Sequence, residues 1–183
     1  MDLISVVLLA IGLAMDCLAV SSMRGISQGK RPWLMAVLFG VFQGGMPLIG
    51  YAAGSAFASV IDRFDHWIAL VLLTIIGGKM IWESLHEKEE ETRSDGSVME
   101  LLLLAVATSI DALATGIIFV PYPLSSVLMD MAIIAFVSFA FSVLGYQAGK
   151  RLGTHLPLNV ELVGGLVLIG IGLKIFAEGM GWI

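Results

Sequence analysis

Cysteine is almost missing from this chain: Cys17 is the only one among 183 residues. An intramolecular disulfide is therefore excluded, and so is a cysteine-based metal cluster. Charge is scarce too, with 14% charged against 58% hydrophobic residues and a mean hydropathy of +0.95. Soluble domains carry about 25% charged residues, so these proportions exclude an ordinary soluble domain and place most of the chain in a bilayer. Basic residues are the minority sign, 10 Lys and Arg against 15 Asp and Glu, for a net charge of −5. Nothing in that balance favours nucleic acid or another extended anionic partner. The first apolar run is preceded only by Asp2, without a basic stretch, so it reads as a retained helix and not as a signal peptide.

What the chain has in abundance is apolar runs. Six of them, at roughly 3–23, 34–58, 66–84, 98–119, 125–148 and 160–178, are each near the ~20 residues that cross a hydrocarbon core. The expected fold is all-α and integral to the membrane, with six transmembrane helices and no room for a separate soluble domain. Lys and Arg fall unevenly between the connections. Arg24, Lys30, Arg31, Lys88, Arg93, Lys150 and Arg151 follow the first, third and fifth runs, whereas the other side holds only Arg63. By the positive-inside rule both termini face outward. The longest polar connection, HEKEEETRSDGSV at 85–97, divides the chain into a first half, 1–84, and a second half, 98–183. Its Glu87, Glu89, Glu90, Glu91 and Asp95 read as a solvated acidic linker on the cytoplasmic side.

The two halves repeat. LAMDCLAVSS at 13–22 places Asp16 in an apolar helix, and 95 positions later ATSIDALATG at 107–116 places Asp111 in the same setting. The same offset relates Gly50, Tyr51, Ala53 and Gly54 to Gly145, Tyr146, Ala148 and Gly149, and Leu73, Gly77, Lys79 and Glu83 to Leu168, Gly172, Lys174 and Glu178. Leu and Ala match by chance in membrane helices; Asp, Tyr, Lys and Glu do so far less. Each half has three helices, an odd number, so the second enters the membrane from the opposite side. The sequence thus predicts two inverted-topology repeats, an arrangement that secondary transporters use to build a central site.

An aspartate at the bilayer centre costs about 2.5–3.5 kcal/mol on insertion scales, so it marks a functional site by default. Asp16 and Asp111 each lie a few residues past the middle of their own span. At ~1.5 Å per residue, the carboxylates sit roughly 4 Å to either side of the midplane. They reach one small ligand if the first and fourth helices touch. Thr108 and Thr115 lie three before and four after Asp111, on its helix face. Gln43 sits in FGVFQGGMPLIG, where Gly44, Gly45 and Pro47 are expected to loosen the helix and free backbone carbonyls. The candidate metal ligands are therefore Asp16, Asp111, Gln43, Thr108 and Thr115. Ser21, Ser22, Met15, Met46 and Cys17 read as packing residues. Gly40 with Gly44, Gly50 with Gly54, and Gly145 with Gly149 have the spacing of close helix contacts. Lys79 with Glu83 and Lys174 with Glu178 have that of i,i+4 ion pairs.

Two carboxylates, a carboxamide and hydroxyls form an all-oxygen set suited to a hard divalent cation, and they lack the thiolates and imidazoles that favour Zn²⁺ or Cu⁺. His66, His86 and His155 all fall at helix ends or in loops. The residues alone thus reach a carrier of divalent cations, or one coupled to protons. Beyond them, LAMDCLAVS, FGVFQGGMPLIG, GGKMIWE, ATSIDALATG and ELVGGLVLIGIGLKI resemble successive motifs of the MntP-type manganese efflux pumps, a branch of the LysE exporter superfamily. The resemblance covers nearly the whole chain. It implies no enzyme and no cofactor, with Mn²⁺ as substrate leaving the cytoplasm of a bacterium across its plasma (inner) membrane. It also implies that Asp16 and Asp111, by motif, are the essential aspartates. Cys17 departs from the alanine common there.

Two other classes compete with that implication. An intramembrane aspartyl protease carries a Gly-x-Gly-Asp signature, and Asp111 follows Thr108, Ser109 and Ile110 instead. An amino-acid exporter of the same superfamily fold requires a cationic group, or a helix N-terminus, for the substrate carboxylate. The expected partners are a divalent metal ion and the lipid bilayer, with a homodimer admissible and no nucleic acid.

Overall fold

The computed structural model describes residues 3–56, 58–85, 97–152 and 160–181. All regular structure among them is helical: α1 Leu3–Ile26, α2 Pro32–Ser55, α3 Ala58–Leu85, α4 Val98–Thr108, α5 Ile110–Thr115 continued by a 3-10 turn Gly116–Phe119, α6 Leu124–Leu152 and α7 Val160–Gly179. α1, α2 and α6 are long and apolar enough to cross a membrane, and α4 with α5 makes a fourth crossing if the bent pair is one span. The chain is a multi-pass membrane protein. Its large apolar side chains point outward as well as inward, with Val37, Val41, Ile75, Phe136 and Leu144 all exposed, as a lipid-facing surface requires.

The boundaries differ from the sequence reading where polar residues sit inside helices. α3 begins at Ala58, eight residues before the expected start, because Asp62, Arg63 and Asp65 interrupt its apolar pattern without interrupting its backbone. Arg63, expected in a loop, is therefore a helical residue. α2 runs unbroken through Pro47, so the expected loosening of that helix is absent. The break falls in the fourth span, where α4 and α5 meet at a bend of 41°. The acidic linker falls on residues 86–96, outside the described ones.

α1 lies along α6 and α7, α2 packs on α6 and on the α4–α5 arm, and α3 pairs with α7. Glycines set these approaches. Gly145 and Gly149 on α6 lie against the carbonyls of Leu18 and Ser22 on α1, Gly50 on α2 lies against that of Leu113, and Gly40 and Gly44 lie against Ala135. A methyl group at any of these would collide with backbone or with a fixed Cβ, which is why small residues hold helices together where lipid provides no hydrophobic drive. One apolar core joins Leu9, Ala10 and Leu13 to Leu73, Phe119, Ile134 and Leu168. A second joins Cys17, Met35, Phe39, Leu101 and Ala105.

Candidate metal site

The bend before Asp111 has a local cause. Thr108 Oγ1 donates to the carbonyls of Leu104 and Ala105 at 2.9 and 3.2 Å, and Ser109 Oγ donates to Ala105 at 2.7 Å. Hydroxyls bonding back three or four residues compete with the helix amides and bend the axis. The Ser109 amide accordingly reaches Val106, only three residues back. Asp111 opens the next helical segment and is 9% exposed. Thr115, wholly buried one turn later, donates to the Ala112 carbonyl at 2.8 Å. Both threonines thus satisfy their hydrogens on their own helix and keep oxygen lone pairs.

Gln43 carries the most specific contact. It is fully buried on α2, its Nε2 donates to the Leu13 carbonyl on α1 at 2.7 Å, and its Oε1 has no hydrogen-bond partner. A helical carbonyl points toward the residues three and four ahead, so this amide lies at the level of Asp16 and Cys17. Asp16 itself is half-buried. The Cys17 thiol lies within hydrogen-bonding reach of Thr108 on α4 and Ser142 on α6. Gln43 and Thr108 thus both approach the level of Cys17, with Asp111 one turn beyond Thr108. Among the described residues α1 packs chiefly on α6, α7 and α2 and makes no extensive backbone contact with α4 or α5, the pairing that the sequence reading required. Thr115 stands a further turn away. Cys17 packs among Met35, Phe39, Leu101 and Ala105, which agrees with its reading as a packing residue. Met15 and Met46 pack against the larger core.

Among the described residues no group of three or more His, Cys, Asp and Glu side chains is placed to hold a metal ion. A site here must combine carboxylates with neutral oxygens, which is the chemistry of hard cations. His66 stacks against Phe176 with ring centroids 5.9 Å apart; His86 and His155 lie outside the described residues.

Two charges that the sequence does not mark as buried, Arg24 and Asp130, are buried among the described residues. Arg24, counted there as a loop cation, lies in the last turn of α1, where its side chain is 3% exposed and its Nη1 meets Glu100 Oε1 at 2.6 Å. The pair ties α1 to the first turn of α4, which Ser97 caps by accepting from the Glu100 amide. Asp130 on α6 is 9% exposed and its Oδ2 has no partner. It stands in LMDMAIIAF, the same apolar setting that marks Asp16 and Asp111, but the residue 95 positions before it is Met35, so no matching carboxylate signals it. Lys174 pairs with Glu178 at 3.4 Å, as expected, and also donates to Ser5 Oγ on α1 at 2.7 Å. The side chains of Lys79 and Glu83 fall outside the described residues.

The sequence profile of one family, described as "Putative manganese efflux pump", matches residues 26–176. A protein of Ruminiclostridium cellulolyticum carrying that description with the name MntP is 47% identical over 98% of both chains. Proteins of the same name from Bacteroides fragilis and Methanospirillum hungatei are 46% identical over 93% of both chains, and 44% identical over 100% of this chain and 97% of the other. No solved structure matches. The family is one of transporters, not enzymes, with the metal as cargo and no cofactor. On sequence matched over nearly its whole length, the chain belongs to the manganese efflux pump family.

Proposed function

We propose that this protein exports Mn²⁺ from the cytoplasm through a site near the membrane centre built on Asp16 and Asp111, with oxygens from Gln43, Thr108 and Thr115. The observation that carries this reading is the Gln43 amide. Its nitrogen is anchored on α1 beside Asp16, which leaves a fully buried Oε1 without a partner. A buried acceptor left unpaired costs about 1–3 kcal/mol, and a hard cation satisfies it together with the carboxylates.

An inverted repeat underlies the site. Gly50 lies against Leu113 and Gly145 against Leu18, and each partner of the first contact is 95 positions from a partner of the second. Tyr51 and Tyr146, likewise equivalent, donate to the Tyr122 and Gly29 carbonyls at 3.3 and 2.8 Å, each tying its helix to the chain beyond the other half's first span. Both contacts support a twofold relation that places the two aspartates about one midplane. The six spans run with both termini outside, in a bacterial plasma membrane.

Metal and protons compete for the same two carboxylates, so release outward exchanges Mn²⁺ for protons. Proton release into weakly buffered solution on Mn²⁺ binding checks this, and binding without it rules the exchange out. The amino-acid exporter reading requires a buried cation for the substrate carboxylate. Among the described residues Arg24 is the buried cation; its Nη1 is paired with Glu100 and its Nη2 has no partner, and it lies in the last turn of α1, away from the level of Asp16. Expression in a manganese-sensitive bacterium tests the function. Growth in excess manganese with lowered cell manganese is expected, and unchanged cell manganese contradicts the proposal.

A further inference from the structure

Where the turn after α1 meets the end of α6, the surface is built for a ligand other than the metal. Tyr146 Oη donates to the Gly29 carbonyl at 2.8 Å, and Gly25 packs on the Tyr146 backbone, so the turn at 27–31 is fixed against α6. Next to it, between the start of α2 and the end of α6, lies a cavity of about 160 Å³ lined by Pro32, Trp33, Val143, Tyr146, Gln147 and Lys150. Its floor is apolar and aromatic; its rim is Gln147 and Lys150, both exposed.

Charge on the two stretches beside the cavity is of one sign. Lys30 and Arg31 immediately precede α2, Lys150 and Arg151 close α6, and all four are exposed. Neither contributing stretch holds an acid: there is no Asp or Glu in 17–61 or in 131–160. Glu100, from α4, is taken by Arg24. Among the described residues none of the four cations is ion-paired. Arg31 is held at φ 59° and ψ 51°, a left-handed conformation that costs a non-glycine residue about 1 kcal/mol or more.

Below the rim the surface turns apolar toward the bilayer. Trp33, 65% exposed, stands against the Phe139 ring, and Val37 and Val41 continue its face of α2 at four-residue steps, both exposed. An aromatic at the polar boundary, cations above it and a bare apolar stripe beneath match a molecule with an anionic head and a hydrocarbon tail.

We infer that this cavity binds an anionic phospholipid, with the headgroup phosphate among Lys30, Arg31 and Lys150 and an acyl chain along Trp33, Val37 and Val41. The inference rests on the membrane placement of the chain and not on the metal site. A net negative headgroup and a tail are both recognised, so neither a free anion, which has no tail, nor a zwitterionic lipid, whose ammonium the cations repel, satisfies the site.

The test uses the purified full chain in nonionic detergent, titrated separately with short-chain phosphatidylglycerol, short-chain phosphatidylcholine and inorganic phosphate, with bound species counted by native mass spectrometry. Phosphatidylglycerol is expected to bind at least tenfold more tightly than either of the others. The Lys30→Gln, Arg31→Gln, Lys150→Gln variant is expected to lose that preference while keeping the wild-type melting temperature, because these side chains are exposed. Trp33→Ala is expected to weaken phosphatidylglycerol alone. Equal affinity for the two lipids in the wild type, or an undiminished preference in the glutamine variant, overturns the inference. Inorganic phosphate binding as tightly as phosphatidylglycerol does so as well, since it makes the site one for any anion. Manganese export plays no part in the readout, so a failure of the transport reading leaves this result intact.

Discussion

Gln43 Nε2 donates to the carbonyl oxygen of Leu13 at 2.7 Å, fixing a buried carboxamide of α2 against the helix that carries Asp16. That bond decides which atom of the amide is available. The nitrogen faces α1, so the oxygen without a partner is the one left for a cation. Gln43→Leu is expected to lower Mn²⁺ affinity by about 10–100-fold, as the loss of supporting groups at metal sites does, without loss of protein from the membrane. Gln43→Glu keeps an oxygen and is expected to retain binding. Isothermal titration of purified variants checks both, and wild-type affinity in Gln43→Leu removes this residue from the site.

Arg24 and Glu100 predict an asymmetric pair of effects. Glu100→Ala strands a guanidinium that is 3% exposed and should destabilise by about 3 kcal/mol, whereas replacing both partners with apolar residues should cost much less. Thermal melting in detergent separates them: Arg24→Met with Glu100→Leu should melt above Glu100→Ala. The reverse order contradicts the assignment of Arg24 as a buried, paired charge.

Gly50→Val and Gly145→Val should each remove the folded protein from the membrane, since a Cβ at either position runs into a carbonyl of the facing helix, Leu113 or Leu18. Gly45 and Gly170 have open space at the same point. Alanine at these two should leave abundance unchanged or improve it, by up to about 1 kcal/mol of helix propensity each. Immunoblots of membrane fractions give the answer; tolerance of valine at Gly145 contradicts the close α1–α6 contact.

Asp130 has no equivalent carboxylate in the first half, so the paired-site account gives it no share in transport. Asp130→Leu replaces a buried carboxylate whose Oδ2 lacks a partner by an apolar group of similar size and should raise the melting temperature in detergent, with export kept within about twofold. The stabilisation is of the order of 1 kcal/mol. Loss of export at normal abundance adds a third carboxylate to the path and contradicts the pairing.

The helical, membrane-embedded character of the chain and its candidate polar residues are legible in the sequence. Asp16, Asp111 and Gln43 stood out because polar groups in apolar helices are costly and few, and the glycine spacings announced contacts that the helices make. The break at Ser109 was hidden, because 98–119 is apolar throughout and the bend comes from hydroxyls that bond backward, a choice that composition does not reveal. Pro47 suggested a break that α2 does not have; one missing amide bond is tolerated when Gly44 and Gly50 are pinned on both sides. Arg24 was misplaced for another reason. Its partner Glu100 is 76 residues away, and only tertiary contact turns a loop cation into a buried one. The lipid-facing cavity needed two segments more than a hundred residues apart to come together.

The most direct test of the central claim is Mn²⁺ export by Asp16→Ala and Asp111→Ala, each brought to wild-type abundance in the membrane and measured as efflux from manganese-loaded cells. One remaining carboxylate does not offset the dehydration of a divalent ion, so each variant should fall to the rate of cells without the protein. Efflux near the wild-type rate in either variant contradicts a site shared between the two halves.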